Sequence, residues 1–399
     1  MERDHYTLYK IIGKQTMVKI KLSEKAKNWL FFGLQVLIVF LALALGYLGS
    51  HFFSQKDNQF SLLRQAKNIM VENTILELPS EQALAYGMIR GMLATLDDPY
   101  SQFVEPAAHE VQTDELSGRF GGIGVRLERD TDMNLRLYPL PNSPALTAGI
   151  EDGDILVGVD DLIITQDTEE IEIIAAVRGP VGEEVKITVL RGTETLDFTI
   201  KREEVPLPTV SWNLLPEADD IGMVKVNLIS ETTSDEIIAA IEDLSNQGAG
   251  ALVLDLRNNG GGLVNAGVAI AELFLEEGEI LHQEYKNKKE EVFTVDEPGI
   301  YTHLSMVVLV NENTASAAEI VAGAIKKHNR APIIGAPTYG KTSIQYIFDL
   351  DDGSSIHITS GKWWIPGVSF PLKPDHLVLD DPTGVNALQK AIDMLQGTR

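Results

Sequence analysis

The chain contains no cysteine, and this absence excludes disulfides, thiolate chemistry and zinc sites built on cysteine. Basic residues are scarce: 33 Lys and Arg stand against 58 Asp and Glu, and the formal net charge of −25 makes nucleic acid an unexpected partner. Aromatic residues make up only 7%, but hydrophobic residues reach 44%, as in ordinary folded proteins. With 399 residues, the chain is long enough for two or three domains with hydrophobic cores.

One long hydrophobic run stands out, from Trp29 to Phe53, and it has about the 20 residues that a bilayer span needs. Lysines precede it, and their bias predicts that residues 1–28 are cytoplasmic and that everything after the run lies outside the cytoplasm. These lysines are Lys10, Lys14, Lys19, Lys21, Lys25 and Lys27. A cleaved signal peptide is one alternative, although its apolar region would span only roughly 7–15 residues. A buried core helix is another. We expect an uncleaved single-pass anchor over residues 29–53 in the cell membrane.

Two different segments follow the hydrophobic run. Residues 57–112 carry apolar residues at helical spacing, among them Leu62, Ala66 and Ile69, and predict a small helical segment. From 113 to 204, short β-type runs alternate with turns. The expected strands are 124–128, 135–139, 154–159, 184–190 and 196–201, with short helices at 143–148 and 168–177. Residues 113–204 resemble a PDZ domain, through the stretches 120–125 (FGGIGV), 143–149 (SPALTAG), 152–155 (DGDI) and 178–182 (RGPVG).

The PDZ resemblance implies a peptide-binding site in the Gly-rich loop. In such a domain the backbone N–H groups of the loop bind a C-terminal carboxylate, and the peptide adds to the sheet as a strand. Glycine lets the loop backbone approach the ligand closely. The expected peptide-binding residues are Phe120, Gly121, Gly122, Ile123, Gly124 and Val125. A plain turn is the alternative for residues 121–124 alone. One departure, the stretch from Val159 to Asp161 in place of Asp-Gly, is expected to alter a turn at most.

The last segment, residues 205–399, alternates strands and helices. The expected elements are a strand at 221–228, an amphipathic helix at 233–244, a buried strand at 251–255 and a helix at 264–275. Residues 305–345 then read as strand, turn, helix, strand and turn. This alternation predicts an α/β domain with a substantially parallel sheet.

Candidate chemistry lies at the helix start within residues 313–319 (NTASAAE). A hydroxyl at Ser316 would lie near the positive end of the helix dipole, and the small neighbouring residues leave room for a substrate carbonyl. The N–H of Ala317 is an unpaired donor at the helix start and can face an oxyanion. A second donor is expected from the glycine loop that ends residues 255–262 (DLRNNGGG).

A serine hydroxyl is a weak nucleophile and needs a base. The sequence has no Gly-x-Ser-x-Gly elbow and no histidine in a convincing triad context. Lys341 is the candidate base, since burial in a tight turn between apolar runs would lower its pKa and leave the amine neutral. Gln345 could hold the amine or the substrate. Taken singly, Ser316 is equally compatible with a helix cap and Lys341 with a solvated turn residue.

From the helical segment to about residue 395, the sequence resembles the carboxyl-terminal processing peptidases, or tail-specific proteases. The motifs are residues 255–262, 314–320 (TASAAEI) and 335–345 (GAPTYGKTSIQ). The resemblance implies an α/β catalytic core of the ClpP/crotonase-like type with an inserted PDZ domain. It implies that Ser316 is the nucleophile, Lys341 its base and Gln345 a helper. It also implies that Gly261 or Gly262 joins Ala317 in an oxyanion hole.

The sequence departs from the family pattern at several places. Thr314 and Ala318 replace serines that flank the nucleophile, and Lys327 replaces an acid within residues 326–331 (KKHNRA). Trp363 and Trp364 stand where the family usually has two tyrosines, and the stretch after them is shorter. We expect these departures to affect the rate and the pocket shape more than the reaction.

Two other functions stay open from the sequence. Residues 335–342 (GAPTYGKT) match the Walker pattern of a P-loop nucleotide-binding protein, but residues 343–350 alternate like a strand where that site needs a helix. A non-catalytic, membrane-anchored PDZ adaptor would require the loss of Ser316 or Lys341, and both are present.

We therefore expect a membrane-anchored serine endopeptidase whose catalytic part, residues 205–399, lies outside the cytoplasm. The expected partners are polypeptides, bound through their C-termini, and the lipid bilayer. Neither a metal nor a cofactor is expected, and a homo-oligomer is left open.

Overall fold

The computed structural model describes residues 8–10, 18–20, 23–57, 60–379 and 385–397. The chain forms two units, which divide after Leu84. The first unit contains an antiparallel strand pair, two helices and the start of a third. These elements are β1 (Leu8–Lys10), β2 (Val18–Ile20), α1 (Glu24–Asp57), α2 (Ser61–Asn73) and α3 (Glu81–Ala94).

Helix α1 covers the hydrophobic run. Its segment Glu24–Ala44 is long and apolar enough to cross a membrane, and none of it is buried within the protein. A signal sequence near an N-terminus has the same length and composition, so helix α1 agrees with either.

The second unit continues along α3 and then reaches β3 (Gln102–Val104) and α4 (Pro106–Ser117). Tyr86 and Leu93 of α3 pack on Phe103 of β3 in a small hydrophobic cluster. The helical prediction for residues 57–112 is therefore confirmed for α2, α3 and the start of α4. Strand β3 was not foreseen, because three residues are too few to show an alternating pattern.

The PDZ-like region has an antiparallel sheet in the order β10-β9-β7-β6-β5, with β8 paired to β7, and a separate pair of β4 and β11. All five strands expected from the sequence are present, as are both helices. The elements are β4 (Arg119–Gly122), β5 (Val125–Arg129), β6 (Leu135–Pro139), α5 (Pro144–Ala148), β7 (Asp154–Val159), β8 (Leu162–Ile163), α6 (Glu170–Val177), β9 (Glu184–Arg191), β10 (Glu194–Lys201) and β11 (Glu203–Pro206).

The main sheet of the last segment has the order β12-β13-β14-β17-β18-β21, and every pairing is parallel except that of β12 with β13. Its strands and helices are β12 (Val210–Leu215), β13 (Ala218–Val226), α7 (Thr233–Asn246), β14 (Ala251–Asp255), α8 (Val264–Glu272), β17 (Ser305–Val310), α9 (Ala317–Lys327), β18 (Ile333–Gly335), β21 (His376–Leu377) and α10 (Val385–Gly397). The predicted parallel sheet is confirmed.

Both faces of this sheet are covered, which explains the continuous apolar runs. Leu252 and Leu254 of β14 belong to the core shared with α7, α8 and α9, whereas Ala251 and Val253 belong to the core shared with α10. The remaining strands form an antiparallel sheet in the order β16-β15-β20-β19, with β3 paired to β20. They are β15 (Glu279–Tyr285), β16 (Glu291–Thr294), β19 (Ser343–Asp349) and β20 (Ser355–Trp364).

Candidate active site

Three loops that leave neighbouring strands at their carboxyl ends carry the candidate residues. The loop after β14 contains the glycines, the loop after β17 contains Ser316, and the loop after β18 contains Lys341. Since β14, β17 and β18 are parallel neighbours, the three loops emerge at the same edge of the sheet. Ser316, Lys341 and Gly262 line one cavity of about 820 Å³.

Ser316 lies in a strained backbone conformation at the start of α9. Its φ is 55° and its ψ is −120°, in a region that residues with a side chain rarely adopt. The residue is only 8% exposed. A serine on a sharp turn between a buried strand and a helix has the arrangement of a nucleophile elbow, although the Gly-x-Ser-x-Gly sequence is missing.

Two backbone N–H groups beside Ser316 have no hydrogen-bond partner among the described residues, those of Ala317 and Gly262. Gly261, in contrast, donates its N–H to Asn259 Oδ1 at 2.8 Å. A Cβ on Gly261 would lie 2.8 Å from Ser316 Cβ and 2.9 Å from the Ala317 nitrogen. Of the two glycines expected near the oxyanion, Gly262 therefore has the free donor, and Gly261 supplies the space beside Ser316.

The glycine loop is fixed to the sheet by polar contacts at its start. The Arg257 guanidinium makes two hydrogen bonds to the Asp255 carboxylate, at 2.9 and 2.7 Å. Asn259 donates to the carbonyl of Val226 at 2.9 Å, and its own carbonyl accepts from the Ala315 N–H at 2.9 Å. Asn259 therefore ties the glycine loop to the residue directly before Ser316.

The Glu319 carboxylate joins the loop of Ser316 to the loop of Lys341. It is fully buried, and one of its oxygens accepts from the backbone N–H groups of both Ser316 and Lys341, each at 2.9 Å. The other oxygen accepts from the Gly340 N–H at 2.8 Å and from the Thr338 hydroxyl. Burial raises the pKa of Glu319, and these hydrogen bonds act against that rise. The backbones of Ser316 and Lys341 are thus held within two hydrogen-bond lengths of each other.

Lys341 is partly buried, and burial lowers the pKa of its amine, while the charge of Asp98 acts in the opposite direction. The Nζ atom lies 4.9 Å from the centroid of the Tyr100 ring. No hydrogen bond joins it to Ser316 Oγ within the part of the chain that the structure describes. His357 lines the same cavity, and burial, His109 and Lys341 lower the pKa of its imidazole.

Gln345 also lines the cavity, but its amide makes other contacts. Its Nε2 donates to Ser343 Oγ at 3.0 Å and to Thr359 Oγ1 at 2.9 Å. In this conformation the amide N–H groups therefore bind β19 and β20, not the amine of Lys341.

The predicted peptide-binding loop begins in β4, which contains Phe120, Gly121 and Gly122. The centroid of the Phe120 ring lies 4.1 Å from the Arg178 guanidinium carbon, and Ile123 is buried in the core of the PDZ-like region. The N–H groups of Ile123 and Gly124 have no hydrogen-bond partner in the described ranges. Val125 begins β5, which pairs only with β6 among the described strands and so has one edge without a partner strand there.

Sequence reasoning missed three residues of the site, Glu319, Asp98 and Tyr100. Glu319 follows Ser316 by three residues, and the pattern Ser-x-x-Glu is a known signal for reciprocal hydrogen bonds at a helix start. Asp98 and Tyr100 come from a segment more than 200 residues away in the sequence, and no local pattern could have assigned them to Lys341.

Comparisons with known proteins assign two regions of the chain to families. The model of peptidase family S41 matches residues 220–377, and a PDZ domain model matches residues 121–201. The carboxy-terminal processing protease CtpA of Bacillus subtilis is 34% identical over 318 residues, which cover 79% of this chain and 67% of that protein. A carboxyl-terminal-processing protease of Picosynechococcus sp. is 34% identical over 333 residues, or 78% and 77% of the two chains. Among solved structures, the photosystem II D1 C-terminal processing protease is 28% identical, with 82% and 90% coverage and a TM-score of 0.44.

These matches define the molecule as a serine-type peptidase with a PDZ domain. The chain belongs to peptidase family S41, together with the carboxyl-terminal processing proteases. The adaptor alternative is set aside by this assignment. The P-loop alternative is wrong because strand β19, and not a helix, follows the Walker-like stretch.

Proposed function

We propose that this protein is a membrane-anchored endopeptidase that cleaves polypeptides with a Ser316–Lys341 dyad and selects them by their C-terminal tails. The observation that carries the dyad is the shared Glu319 carboxylate, which binds the backbones of both residues, and both residues line one cavity. Burial favours the neutral amine that a general base requires.

In the proposed reaction, Ser316 Oγ attacks the carbonyl carbon of the scissile peptide bond while its proton passes to the neutral Nζ of Lys341. The resulting oxyanion accepts hydrogen bonds from the N–H groups of Ala317 and of Gly262, with Gly261 leaving the space that it needs. Lys341 then gives the proton to the departing amine, and an acyl-enzyme remains. Water then attacks the acyl carbon and gives a proton to the same amine, the ester bond to Ser316 Oγ breaks, and Lys341 returns the proton to that oxygen.

An extended substrate can bind along β19. This strand pairs with β20 only, in the part of the chain that is described, and its residues from Ser343 to Ile347 line the cavity. Its free backbone groups can pair with a substrate strand, as in other cases of strand addition. Gln345, in the middle of this stretch, is proposed to orient the substrate or the amine once it exchanges its contacts with Ser343 and Thr359.

The PDZ domain is proposed to bind the tail of the substrate. The C-terminal carboxylate of the substrate would accept hydrogen bonds from the N–H groups of the loop from Phe120 to Val125. The last residues of the substrate would pair with the free edge of β5. The proposed domains are a cytoplasmic basic tail (1–28), an anchor (29–53), a helical segment (57–112), the PDZ domain (113–204) and a peptidase domain of ClpP/crotonase-like type (205–399). The chain would cross the cell membrane once and face outward.

The decisive experiment uses the full chain in detergent and an unfolded protein substrate that carries varied C-termini. We expect Ser316→Ala and Lys341→Ala each to abolish cleavage while the circular dichroism spectrum and the melting temperature stay close to those of the parent. Ser369→Ala and Lys362→Ala, at exposed positions, are matched controls and should retain activity. Cleavage by either dyad variant would refute the assignment.

Activity of the parent should also weaken in acid, because the amine of Lys341 becomes charged and cannot accept a proton. A rate that stays flat from about pH 5 to pH 9 would count against a lysine base. The intact mass of the membrane-extracted chain separates the two readings of α1: an anchor leaves the full 43.8 kDa, whereas a signal peptide is removed.

A further inference from the structure

A turn formed by residues 97–101, between α3 and β3, lies against the side chain of Lys341. The Asp98 carboxylate accepts from Ser101 Oγ at 2.6 Å and from the Tyr100 N–H at 3.2 Å. Ser101 Oγ in turn accepts from the N–H of Thr359 on β20 at 3.1 Å. The turn is therefore stabilised internally by hydrogen bonds to Asp98, and a hydrogen bond from Thr359 connects it to β20.

The turn offers two features that attract a positive charge. The Tyr100 ring has its centroid 4.9 Å from Lys341 Nζ, within the range of a cation–π contact. Although burial acts against it, hydrogen bonds from Ser101, Thr359 and Tyr100 lower the pKa of Asp98, so that the carboxylate is charged at neutral pH. A neutral amine gains little from either feature, whereas an ammonium gains from both.

Other charged or titratable groups also surround the amine of Lys341. Burial, His109 and Lys341 itself lower the pKa of His357, which favours its uncharged form. Glu319 binds the backbone of Lys341, and two further carboxylates line the cavity. The titratable groups around Lys341, in its cavity or on the elements beside it, are Asp98, Tyr100, Tyr339, Glu319, His357, Glu115 and Glu231. Among these, the Asp98 charge is the one that opposes the effect of burial on Lys341.

We propose that the turn from Asp98 to Ser101 is a seat for the ammonium form of Lys341, and that Asp98 and Tyr100 are positioning residues for the base. In this seat the charged amine contacts the Tyr100 ring, and no hydrogen bond joins it to Ser316 Oγ among the described residues. The amine must lose its proton and leave the seat to accept the proton of Ser316. The turn therefore sets how far the pH must rise before the base works. This inference rests on the proposed dyad.

The test measures kcat/KM against pH for the full chain and its variants in detergent. Removal of the Asp98 charge in Asp98→Asn should move the acid limb to lower pH by about 0.5–1 unit, since the neighbouring charge no longer favours the ammonium. On that limb the variant should cleave about 3–10-fold faster than the parent. Tyr100→Leu should shift the limb in the same direction by less, and Tyr100→Phe, which keeps the ring, should leave it in place. Asp97→Asn removes an exposed charge one residue away and is the matched control.

A purely structural role for the turn would lower the rate at every pH and leave the limb unmoved, and that result would overturn the proposal. If Asp98→Asn does not fold, the comparison of Tyr100→Leu with Tyr100→Phe decides, again by the pH at which the acid limb of kcat/KM falls. Competitive acetylation of Lys341, read by mass spectrometry as a function of pH, reports the pKa of the amine without any need for cleavage. Activity retained in Lys341→Ala would refute the dyad, whereas an unshifted acetylation profile in Asp98→Asn would refute the seat.

Discussion

The two halves of the proposed dyad are held by different kinds of contact. Ser316 has a strained backbone, 8% exposure, and neighbours fixed by hydrogen bonds of the glycine loop and Glu319. The backbone of Lys341 is fixed by the same Glu319 oxygen. The amine of its side chain contacts the Tyr100 ring, and the charge of Asp98 acts against the lowering of its pKa by burial. The proposed nucleophile is thus held by geometry, whereas the proposed base depends on the balance between its charged and neutral forms.

For the proposed dyad, this difference predicts that the protonation of Lys341 can change without disturbing Ser316. A strained serine held by several hydrogen bonds has one arrangement, since each contact depends on the others. A lysine side chain, by contrast, has several rotatable bonds and a compact charge that can move between neighbouring sites. Variants that break each half separately should therefore have different signatures.

The largest effect is expected where one residue serves both halves. Glu319→Ala would leave three backbone N–H groups and the Thr338 hydroxyl without their acceptor in the core. We expect a loss of about 3–5 kcal/mol in the free energy of unfolding, and no measurable cleavage. Urea denaturation and kcat/KM measure the two effects. Thr338→Ser, which keeps the hydroxyl, is the control; a variant of Glu319 as stable and active as that control would show that the bridge is dispensable.

A second variant should impair only Ser316 and its oxyanion donors, and leave Lys341 unaffected. Gly261 has a φ of 102°, and a Cβ there would meet the Ala315 carbonyl oxygen at 2.8 Å and the Ala317 nitrogen at 2.9 Å. Gly261→Ala is expected to lose about 100-fold in kcat, because the added methyl displaces the donors at the oxyanion position, and about 1–3 kcal/mol of stability.

Gly260→Ala is its matched control, since a Cβ on Gly260 meets nothing within 4 Å. It should keep most of the activity. Equal losses of kcat in the two variants would mean that the glycine loop tolerates a side chain at neither position. The close contact of Gly261 with Ser316 would then not explain the loss. The pH at which the acid limb falls should be the same in both variants and the parent, because neither touches Lys341.

The same contrast explains what the sequence could predict. Ser316, Ala317 and the glycine loop belong to short continuous motifs, and the parallel strands that bring them together read as apolar runs, so this half of the site follows from local patterns. Strands β6 and β7 were predicted with their observed ends for the same reason. The role of Glu319 was within reach of a helix-start pattern but was not drawn from it.

The surroundings of Lys341 could not be predicted, because they are assembled from distant parts of the chain. Asp98 and Tyr100 directly precede β3, which pairs with β20, and a three-residue strand carries no pattern that specifies its partner. Gln345 shows the converse: its position in the motif is clear, but its contacts with Ser343 and Thr359 depend on how β19 and β20 pair. The register between paired strands decides which polar groups contact each other, and the sequence motif alone does not specify it.

The smallest expected effect concerns stability and tests the base alone. Burial lowers the pKa of Lys341 below 10.5, so between its folded value and 10.5 the unfolded chain binds more protons than the folded one. The free energy of unfolding of the parent, relative to Lys341→Met, should therefore rise with pH through this window and fall as the pH drops through the folded pKa. Asp98→Asn should widen the window, since it lowers the folded pKa further. Lys362→Met, which removes an exposed lysine, controls for the loss of one charge. A difference between parent and Lys341→Met that stays constant with pH would mean that the amine is as well solvated in the folded chain as in the unfolded one, and the contrast between a fixed nucleophile and a tuned base would fail.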